Sequence, residues 1–379
     1  NASLVGAIHE ALRLDAVQGI YGALNGIEGA LQRRIVDLRR ESAETLTGLL
    51  STPSAALGSC RYKLQPNDPE RAVDLLRDLG VRYFLYIGGN DSADTAHRIA
   101  QAAAAMHYDL RVIGIPKTID NDLPITDHCP GYGSAARFIA AATMDSARCT
   151  EALPGHYPVK IIEVMGRYAG WLAGAAALGK RTPDDAPHLI YVPERPFDPA
   201  RFLGAVRATV RRVGYCVVVV SEHLADTEGR QIGEAQAQGQ DAFGHTLVEG
   251  VAQTLVELVS TELGMRARFD KPGDEQRMAT MHISSADRDE AYLAGRMAMR
   301  YAVRGITGKM VTLVRAAGPR YACETGLADL ESIANSQKVL PPEYLDADGT
   351  GMTPAFFEYA RPLIGAPLPE HAHLRGERI

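Results

Sequence analysis

Aromatic side chains are scarce in this sequence of 379 residues: Phe, Trp and Tyr make up 6% of the chain, with a single Trp. Proteins that bind single-stranded nucleic acid stack bases on aromatic side chains, so the composition disfavours that class. No long run of Lys and Arg occurs either, and the net charge is −6. Nucleic acid and acidic membrane surfaces are therefore not expected as partners.

Long apolar runs and paired cysteines are also missing. No stretch approaches the roughly 18 apolar residues of a membrane-spanning helix, and the N-terminus lacks the basic-then-apolar layout of a signal peptide. Five scattered cysteines, none in a CxxC pair, argue against a disulfide framework and a structural zinc site. We predict a cytoplasmic protein with reduced thiols and no membrane segment.

What the sequence does contain is an alternation of short β-branched runs with longer amphipathic segments. The polar stretch 226–244 predicts a surface loop, and Ala-rich segments predict helices at 94–106, 135–150 and 169–178. Apolar runs predict strands at 82–87, 110–115, 159–164, 188–192, 216–220 and 310–314. Short apolar strands separated by helices are typical of parallel sheets covered on both faces, so we predict an α/β protein.

In open parallel sheets, ligands bind at the carboxyl ends of the strands. The first predicted strand ends at Gly88-Gly89-Asn90-Asp91-Ser92. The glycines let a backbone approach a phosphate closely, and Asn90 and Asp91 supply oxygens suited to Mg²⁺. The alternative is an ordinary strand-to-helix turn with Asp91 or Ser92 as the helix cap.

The second strand end, residues 116–122, reads PKTIDND and is called the aspartate loop below. It holds two carboxylates, Asp120 and Asp122, and a lysine, Lys117, three residues before the first. A structural turn rarely needs all three, whereas phosphoryl transfer needs a base, a cation and a metal ligand together. We therefore predict that this loop is catalytic.

Two further strand ends carry weaker signals. Residues 165–167 read Met-Gly-Arg, and the arginine suits bidentate contact with a phosphate, although such an arginine often just faces solvent. Residues 221–223 read Ser-Glu-His and place an acid, Glu222, after a buried strand. We interpret His223 as a packed or loop histidine rather than a ligand.

Taken together, these four segments resemble the phosphofructokinase family. The match rests on GGNDS at 88–92, PKTIDND at 116–122, MGR at 165–167 and SEH at 221–223, in the family's order and spacing. PKTIDND is specific on its own, whereas the others are short. The resemblance covers nearly the whole chain, and it implies two doubly wound α/β lobes with mainly parallel sheets and the active site between them.

The resemblance also implies a role for each matching residue. Asp120 matches the general base, which takes the proton from the 1-hydroxyl of fructose 6-phosphate as that oxygen attacks phosphorus. Thr118 and Asp122 match loop residues that orient the substrate. The full substrate-binding set carried over is Thr118, Ile119, Asp122, Met165, Gly166, Arg167, Glu222, Arg268 and Arg277. The donor is expected at Gly88, Gly89 and Arg61, and Mg²⁺ at Asn90 and Asp120.

Two positions are expected to decide the phosphoryl donor. ATP-using relatives have glycine where this chain has Asp91 and Lys117. An aspartate would fill the space of the nucleotide's α-phosphate and repel it, while Lys117 neutralises a short donor and its leaving phosphate. The resemblance is therefore to the pyrophosphate-dependent branch, with Asp91, Lys117 and Asp120 catalytic and a reversible reaction.

Some positions depart from the family pattern. The glycine-rich phosphate loop after the family's first strand does not occur in this sequence, and we expect it upstream of Asn1. Asn90 replaces a common metal-binding aspartate, Asp274 a common histidine, and Pro158 an arginine that a neighbouring subunit usually supplies. These departures keep open the alternative of a non-catalytic sugar-phosphate-binding regulatory subunit. A second alternative is an ATP-dependent phosphofructokinase that tolerates Asp91 and Lys117.

Residues 131–136 also fit GxGxxA, the dinucleotide fingerprint, but they follow a loop rather than a strand, so we interpret them as the start of a helix. By resemblance, the chain crosses between the lobes more than once. We predict a donor lobe of residues 1–134 and 277–330, a sugar-phosphate lobe of 135–276 and a C-terminal arm of 331–379. A homodimer or homotetramer is expected.

Overall fold

The structure is a computed structural model that describes residues 1–233, 250–334 and 336–372. Most of the surface loop predicted at 226–244 lies outside these residues. The strands are β1 (Tyr21–Ala23), β2 (Ile35–Asp37), β3 (Tyr83–Gly88), β4 (Arg111–Pro116), β5 (Val159–Val164), β6 (Leu189–Tyr191), β7 (Cys216–Ser221), β8 (Ala267–Asp270), β9 (Lys309–Arg315) and β10 (Cys323–Asp329).

The helices begin with α1 at the N-terminus and end with α12 near residue 360. They are α1 (Ala2–Ala11), α2 (Gly26–Leu31), α3 (Ala43–Leu49), α4 (Asp68–Asp78), α5 (Asn90–Ala105), α6 (Tyr132–Glu151), α7 (Trp171–Ala175), α8 (Pro199–Val213), α9 (Val251–Leu263), α10 (Ser285–Val303), α11 (Leu330–Ile333) and α12 (Pro354–Ala360). Among the residues described, no helix is long and apolar enough to cross a membrane.

The first large sheet has the strand order β10-β9-β4-β3. β3, β4 and β9 are parallel, whereas β10 pairs antiparallel with β9 along its whole length. The sequence analysis missed β10, because this edge strand is mostly half-exposed and reads CETGLAD, without an apolar run. Its hydrogen bonds to β9, rather than burial, make it a strand.

The second large sheet, with the order β6-β7-β5-β8, is parallel throughout. Every residue of β5 and β7 is buried, because helices cover both faces. Alternate residues of these strands pack with α6 and α7 on one face and with α8 and α9 on the other. The predicted α/β organisation with mainly parallel sheets is confirmed.

The C-terminal segment contributes to the core of the second sheet. Leu340, Phe356, Tyr359 and Leu363 are buried in the same apolar cluster as Trp171. The chain returns to the first sheet through β9 and β10 before it enters this segment. The exact lobe boundaries stay a prediction.

Candidate active site

The ends of β3 and β4 lie side by side. The two strands pair in register up to Gly88 and Pro116, and Lys117 N donates to Gly88 O at 3.0 Å. A Cβ on Gly88 would lie 2.0 Å from Ser92 Oγ, so the turn into α5 requires glycine there. The cap of α5 is Gly89, without a side-chain cap bond, so the interpretation of Asp91 or Ser92 as the cap is wrong.

The aspartate loop folds back onto the start of α6. Thr118 N donates to Pro130 O at 3.1 Å, and Asp120 N donates to Thr118 Oγ1 at 3.1 Å. Buried Asn121 adopts φ 57°, a left-handed conformation that Asn tolerates. Its Oδ1 accepts from Cys129 N at 2.9 Å. These contacts fix the backbone of the loop on both sides of Asn121. The carboxylates of Asp120 and Asp122, which flank Asn121, are the groups of the loop that carry negative charge.

Asp120 faces side chains from both sheets. Its pKa is raised to about 7, mainly by burial and also by the nearby charges of Asp122 and Glu222, while Lys117 and Arg167 act in the opposite direction. Glu222 and Arg167 follow β7 and β5 of the second sheet, whereas Lys117 follows β4 of the first. Three of the four strand ends singled out from the sequence, those of β4, β5 and β7, therefore meet around one carboxylate.

Asp91 belongs to the same group of acids. Burial raises the pKa of Asp122, and the charge of Asp91 contributes in the same direction, while Lys338 and Thr118 oppose it. Asp91 is solvent-exposed in the first turn of α5, where the helix dipole favours a negative charge. The position is thus electrostatically tolerable for a carboxylate at the edge of the cleft.

Two arginines, Arg61 and Arg277, lie near Lys117. Burial lowers the pKa of Lys117, and Arg277 and Arg61 lower it further, whereas Asp120 raises it. Lys117 is nevertheless accessible to solvent, as expected for a side chain on the wall of an open cleft. Three positive charges near one another favour an anionic ligand, such as a phosphate.

The two segments that follow β5 and β7, on the sugar side, are hydrogen-bonded to each other. Glu222 N donates to Val164 O at 2.8 Å, and burial raises the pKa of Glu222 while Arg167 opposes it. Gly166 has φ 121°, and a Cβ there would lie 2.6 Å from Ala169 O, so only glycine fits. His223 is half-buried, with its ring 5.6 Å from that of Tyr168, as the sequence analysis interpreted it.

Asn90 presents an oxygen suited to a cation. Its Nδ2 donates to Ser336 O at 2.5 Å, which fixes the amide, and its buried Oδ1 has no hydrogen-bond partner among the residues described. The carboxylates of Asp120 and Asp122 lie near enough for one to raise the pKa of the other. An unpartnered oxygen after β3 and mutually repelling carboxylates after the neighbouring β4 are groups that a divalent cation would satisfy.

Comparison with known proteins identifies the family of the chain. A family profile described as Phosphofructokinase matches residues 1–302.

The chain belongs to the phosphofructokinase family.

The chain is similar to two curated relatives called "Pyrophosphate--fructose 6-phosphate 1-phosphotransferase". The one from Xanthomonas campestris pv. campestris is 43% identical, over 97% of this chain and 89% of that protein. The one from Methylococcus capsulatus is 39% identical, over 98% of this chain and 90% of that protein. A crystal structure of the pyrophosphate-dependent phosphofructokinase from Marinobacter aquaeolei has a TM-score of 0.87 and 37% identity, over 98% of this chain and 90% of that one.

The predicted phosphofructokinase fold is thus confirmed, and α6 begins at Tyr132 after the aspartate loop, as predicted for residues 131–136. One predicted site residue is not brought to the cleft of its own chain. Arg268 lies on β8 opposite Lys160, near the amino end of β5, with its guanidinium 3.5 Å from the centre of the Tyr157 ring. Sequence spacing could not reveal this register, because it depends on how β8 docks along β5.

Other predicted residues reach the cleft to different degrees. Arg277 ends a short 3₁₀ helix, Gly273–Arg277, is exposed and pairs with Asp274. Met165 N donates to Oε1 of buried Gln276 at 3.0 Å, which couples the two sugar-side segments. Ile119 packs against the core of the second sheet. The roles assigned to these residues in binding and catalysis stay predictions.

The sequence analysis missed the contacts that the C-terminal segment makes with the cleft. Ser336 contacts Asn90, and Lys338 N donates to Asp122 O at 2.6 Å. Nothing in the local sequence around these residues resembles a functional motif. Only the packing of the segment against the aspartate loop shows that they belong to the site.

Proposed function

We propose that this chain transfers a phosphoryl group from pyrophosphate to the 1-hydroxyl of fructose 6-phosphate, giving fructose 1,6-bisphosphate and phosphate. The observation that carries the proposal is the arrangement around Asp120, which faces Lys117 from the first sheet and Arg167 from the second. A general base must reach the proton of the attacking hydroxyl where the sugar meets the donor, and Asp120 lies between the two sides.

In this assignment, Asp120 accepts the proton of the 1-hydroxyl as the sugar oxygen bonds to the terminal phosphorus. The bond from that phosphorus to the bridging oxygen breaks, and inorganic phosphate leaves. Lys117 and the nearby Arg61 supply positive charge for the donor and the leaving group. Since the leaving group is a phosphate of similar size and charge to the one transferred, the same residues serve the reverse reaction.

Asp91 and Lys117 support pyrophosphate as the donor. Asp91 places a carboxylate near Asp122 at the rim of the cleft, where a nucleotide's α-phosphate would meet like charge. Lys117 compensates the higher charge density of a short diphosphate. The curated relatives cited above carry pyrophosphate in their names, which supports the same donor.

Mg²⁺ fits this site, with Asn90 and Asp120 as the proposed ligands and Asp122 close to them. When bound, Mg²⁺ would neutralise charge on the donor oxygens. The structural support is the unpartnered Oδ1 of Asn90, which the contact with Ser336 holds in place.

The donor assay tests the proposal. The purified chain is incubated with fructose 6-phosphate and either pyrophosphate or ATP, and fructose 1,6-bisphosphate is measured. We expect turnover with pyrophosphate and little with ATP. Clear turnover with ATP and none with pyrophosphate would reject pyrophosphate as the donor; turnover with neither would favour the non-catalytic alternative.

We also propose a cytoplasmic homo-oligomer, either a dimer or a tetramer. Arg268 is exposed on an edge strand and directed away from its own cleft, which supports a sugar-phosphate site completed by a second subunit. Light scattering on the purified chain measures its mass, and a monomer under assay conditions would contradict this assignment.

A further inference from the structure

The segment 336–340, called the strap below, crosses between the two sheets behind the cleft. At its start, Ser336 O accepts from Asn90 Nδ2 at 2.5 Å, at the beginning of α5 in the first sheet's layer. At its end, Leu340 N donates to Glu194 Oε1 at 2.7 Å, just after β6 in the second sheet. The strap therefore contacts the carboxyl-end regions of both sheets.

Lys338, in the middle of the strap, donates hydrogen bonds to the last residue of the aspartate loop and to the turn that follows it. Its Nζ donates to Thr126 O at 3.1 Å and to Asp127 O at 2.8 Å. Its backbone N donates to Asp122 O at 2.6 Å. The last residue of the aspartate loop and the turn after it are thus bound by one side chain and its own backbone.

The charge of Lys338 has no simple partner. Within the described ranges, no carboxylate lies at ion-pair distance from its ammonium, which is 5.0 Å from the centre of the Trp171 ring. Burial lowers the pKa of Lys338, and the more distant Cys129, Asp127 and Asp122 oppose that shift. Lys338 therefore acts here as a hydrogen-bond donor to two backbone carbonyl groups rather than as a member of an ion pair.

A second C-terminal residue holds the same turn. Tyr359 Oη donates to Asp127 O at 2.8 Å and accepts from Asn121 Nδ2 at 2.8 Å. The amide of Asn121 separates the two carboxylates of the aspartate loop in the sequence. Both C-terminal contacts therefore act on the backbone that carries Asp120 and Asp122.

We propose that Lys338 is a positioning residue for phosphoryl transfer: it fixes the aspartate loop between the two sheets, and with it the position of Asp120. The proposal rests on the proposed function. Lys338 itself touches neither substrate; it acts through the backbone at Asp122, Thr126 and Asp127. A displacement of about 1 Å at a reacting group lowers rates by about a hundredfold, so a small shift of this loop is sufficient for a large kinetic effect.

The alternative is that Lys338 only satisfies buried carbonyl groups. Lys180 provides a matched control, because its Nζ also donates to two backbone oxygens, those of Asp185 and Pro187, and it is half-buried like Lys338. Lys180 lies near the amino end of β6, at the edge opposite to the cleft. Loss of either lysine side chain removes a similar set of hydrogen bonds, but only the side chain of Lys338 holds the turn that follows the aspartate loop.

The experiment compares the wild-type chain with Lys338→Met and Lys180→Met. Steady-state kinetics with pyrophosphate and fructose 6-phosphate are combined with hydrogen exchange of the peptide that covers residues 117–131. We expect Lys338→Met to lower kcat by about tenfold to hundredfold, to change KM for the sugar by less than about threefold, and to speed exchange of this peptide by about tenfold. Lys180→Met should leave all three unchanged.

A kcat of Lys338→Met within about twofold of wild type, or an equal loss in both variants, would overturn the proposal. Lys338→Gln keeps one donor and replaces Lys338→Met, under the same criteria, if the latter does not fold. If neither folds, Lys338 serves stability and the proposal fails. If the wild-type chain does not use pyrophosphate, the proposed function fails separately, and equal exchange rates in wild type and variant would still refute the role of the strap.

Discussion

The two sides of the cleft are built differently. On the donor side, the aspartate loop is hydrogen-bonded to the end of β3, to the start of α6 and to the strap. On the sugar side, Arg277 is exposed and Arg268 points away from its own cleft. The aspartate loop is thus held by contacts within one chain, whereas the proposed sugar-phosphate contacts include a residue, Arg268, that we propose serves a second subunit. We therefore expect the choice of donor to change when residues of one chain are substituted. We expect sugar binding to depend on the association of subunits.

The largest expected effect is a loss of kcat on substitution of Asp120, which lies on the donor side and also faces the sugar side. Asp120→Asn keeps the shape of the side chain but removes the proton acceptor, so kcat should fall by about a thousandfold with a modest change in KM. Asp109→Asn, at the opposite edge of the first sheet, is the control and should retain full activity. Unchanged turnover of Asp120→Asn would remove Asp120 from the role of base.

The next largest effect is expected on the preference for pyrophosphate over ATP, and it tests whether residues of one chain select the donor. The double variant Asp91→Gly with Lys117→Gly removes both side chains that distinguish this cleft from ATP-using relatives. We expect kcat/KM for pyrophosphate to fall by about a hundredfold, because a charge facing the donor is lost, and ATP turnover to become detectable. The two donors are compared in the same assay. An unchanged preference would show that other residues select pyrophosphate.

The sugar side is tested by complementation between subunits. Asp120→Asn and Arg268→Ala should each be nearly inactive alone, the second through a raised KM for fructose 6-phosphate. If Arg268 serves a neighbouring cleft, mixed dimers contain one intact site, and random mixing should restore activity to about a quarter of wild type. Arg277→Ala in place of Arg268→Ala is the control, because Arg277 lies in its own cleft with Lys117 and should not complement Asp120→Asn. Absence of recovery with Arg268→Ala would place that residue outside the site.

The smallest effect concerns the stability of the donor side. His128 and Arg315 hold the pKa of Asp127 at about 2, below its usual 3.8, although burial acts in the opposite direction. A lowered folded-state pKa contributes stability above pH 3.8, which is lost as the pH falls through about 2. We expect the free energy of unfolding to drop by about 1–2 kcal/mol over this window.

Urea unfolding at several pH values measures this effect, and Asp127→Asn should flatten the dependence. Asp274→Asn on the sugar side is the control, because exposed pairs such as Asp274–Arg277 contribute little. If the free energy of unfolding depends on pH equally in wild type and Asp127→Asn, Asp127 does not stabilise the donor side.

The sequence by itself determined the α/β fold class and four strands that end in polar motifs, and through the resemblance it predicted the residues that choose the donor. These are local properties: apolar runs of β5 and β7 are buried on both faces whatever the topology, and parallel strands bring their carboxyl ends to one edge. The site after β4, with Asp120 and Lys117, could therefore be expected from the sequence, whereas Arg167, which follows a strand of the other sheet, was placed beside them by the resemblance alone.

Only the tertiary structure decided what depends on contacts between distant segments. The register of β8 along β5 turns Arg268 away from the cleft, and pairing with β9 makes a strand of the weakly apolar β10. The strap reaches the aspartate loop across about two hundred residues of chain through Lys338. Such contacts are selected by the packing of the whole core, and a single lysine in an irregular segment carries no local pattern that reveals them.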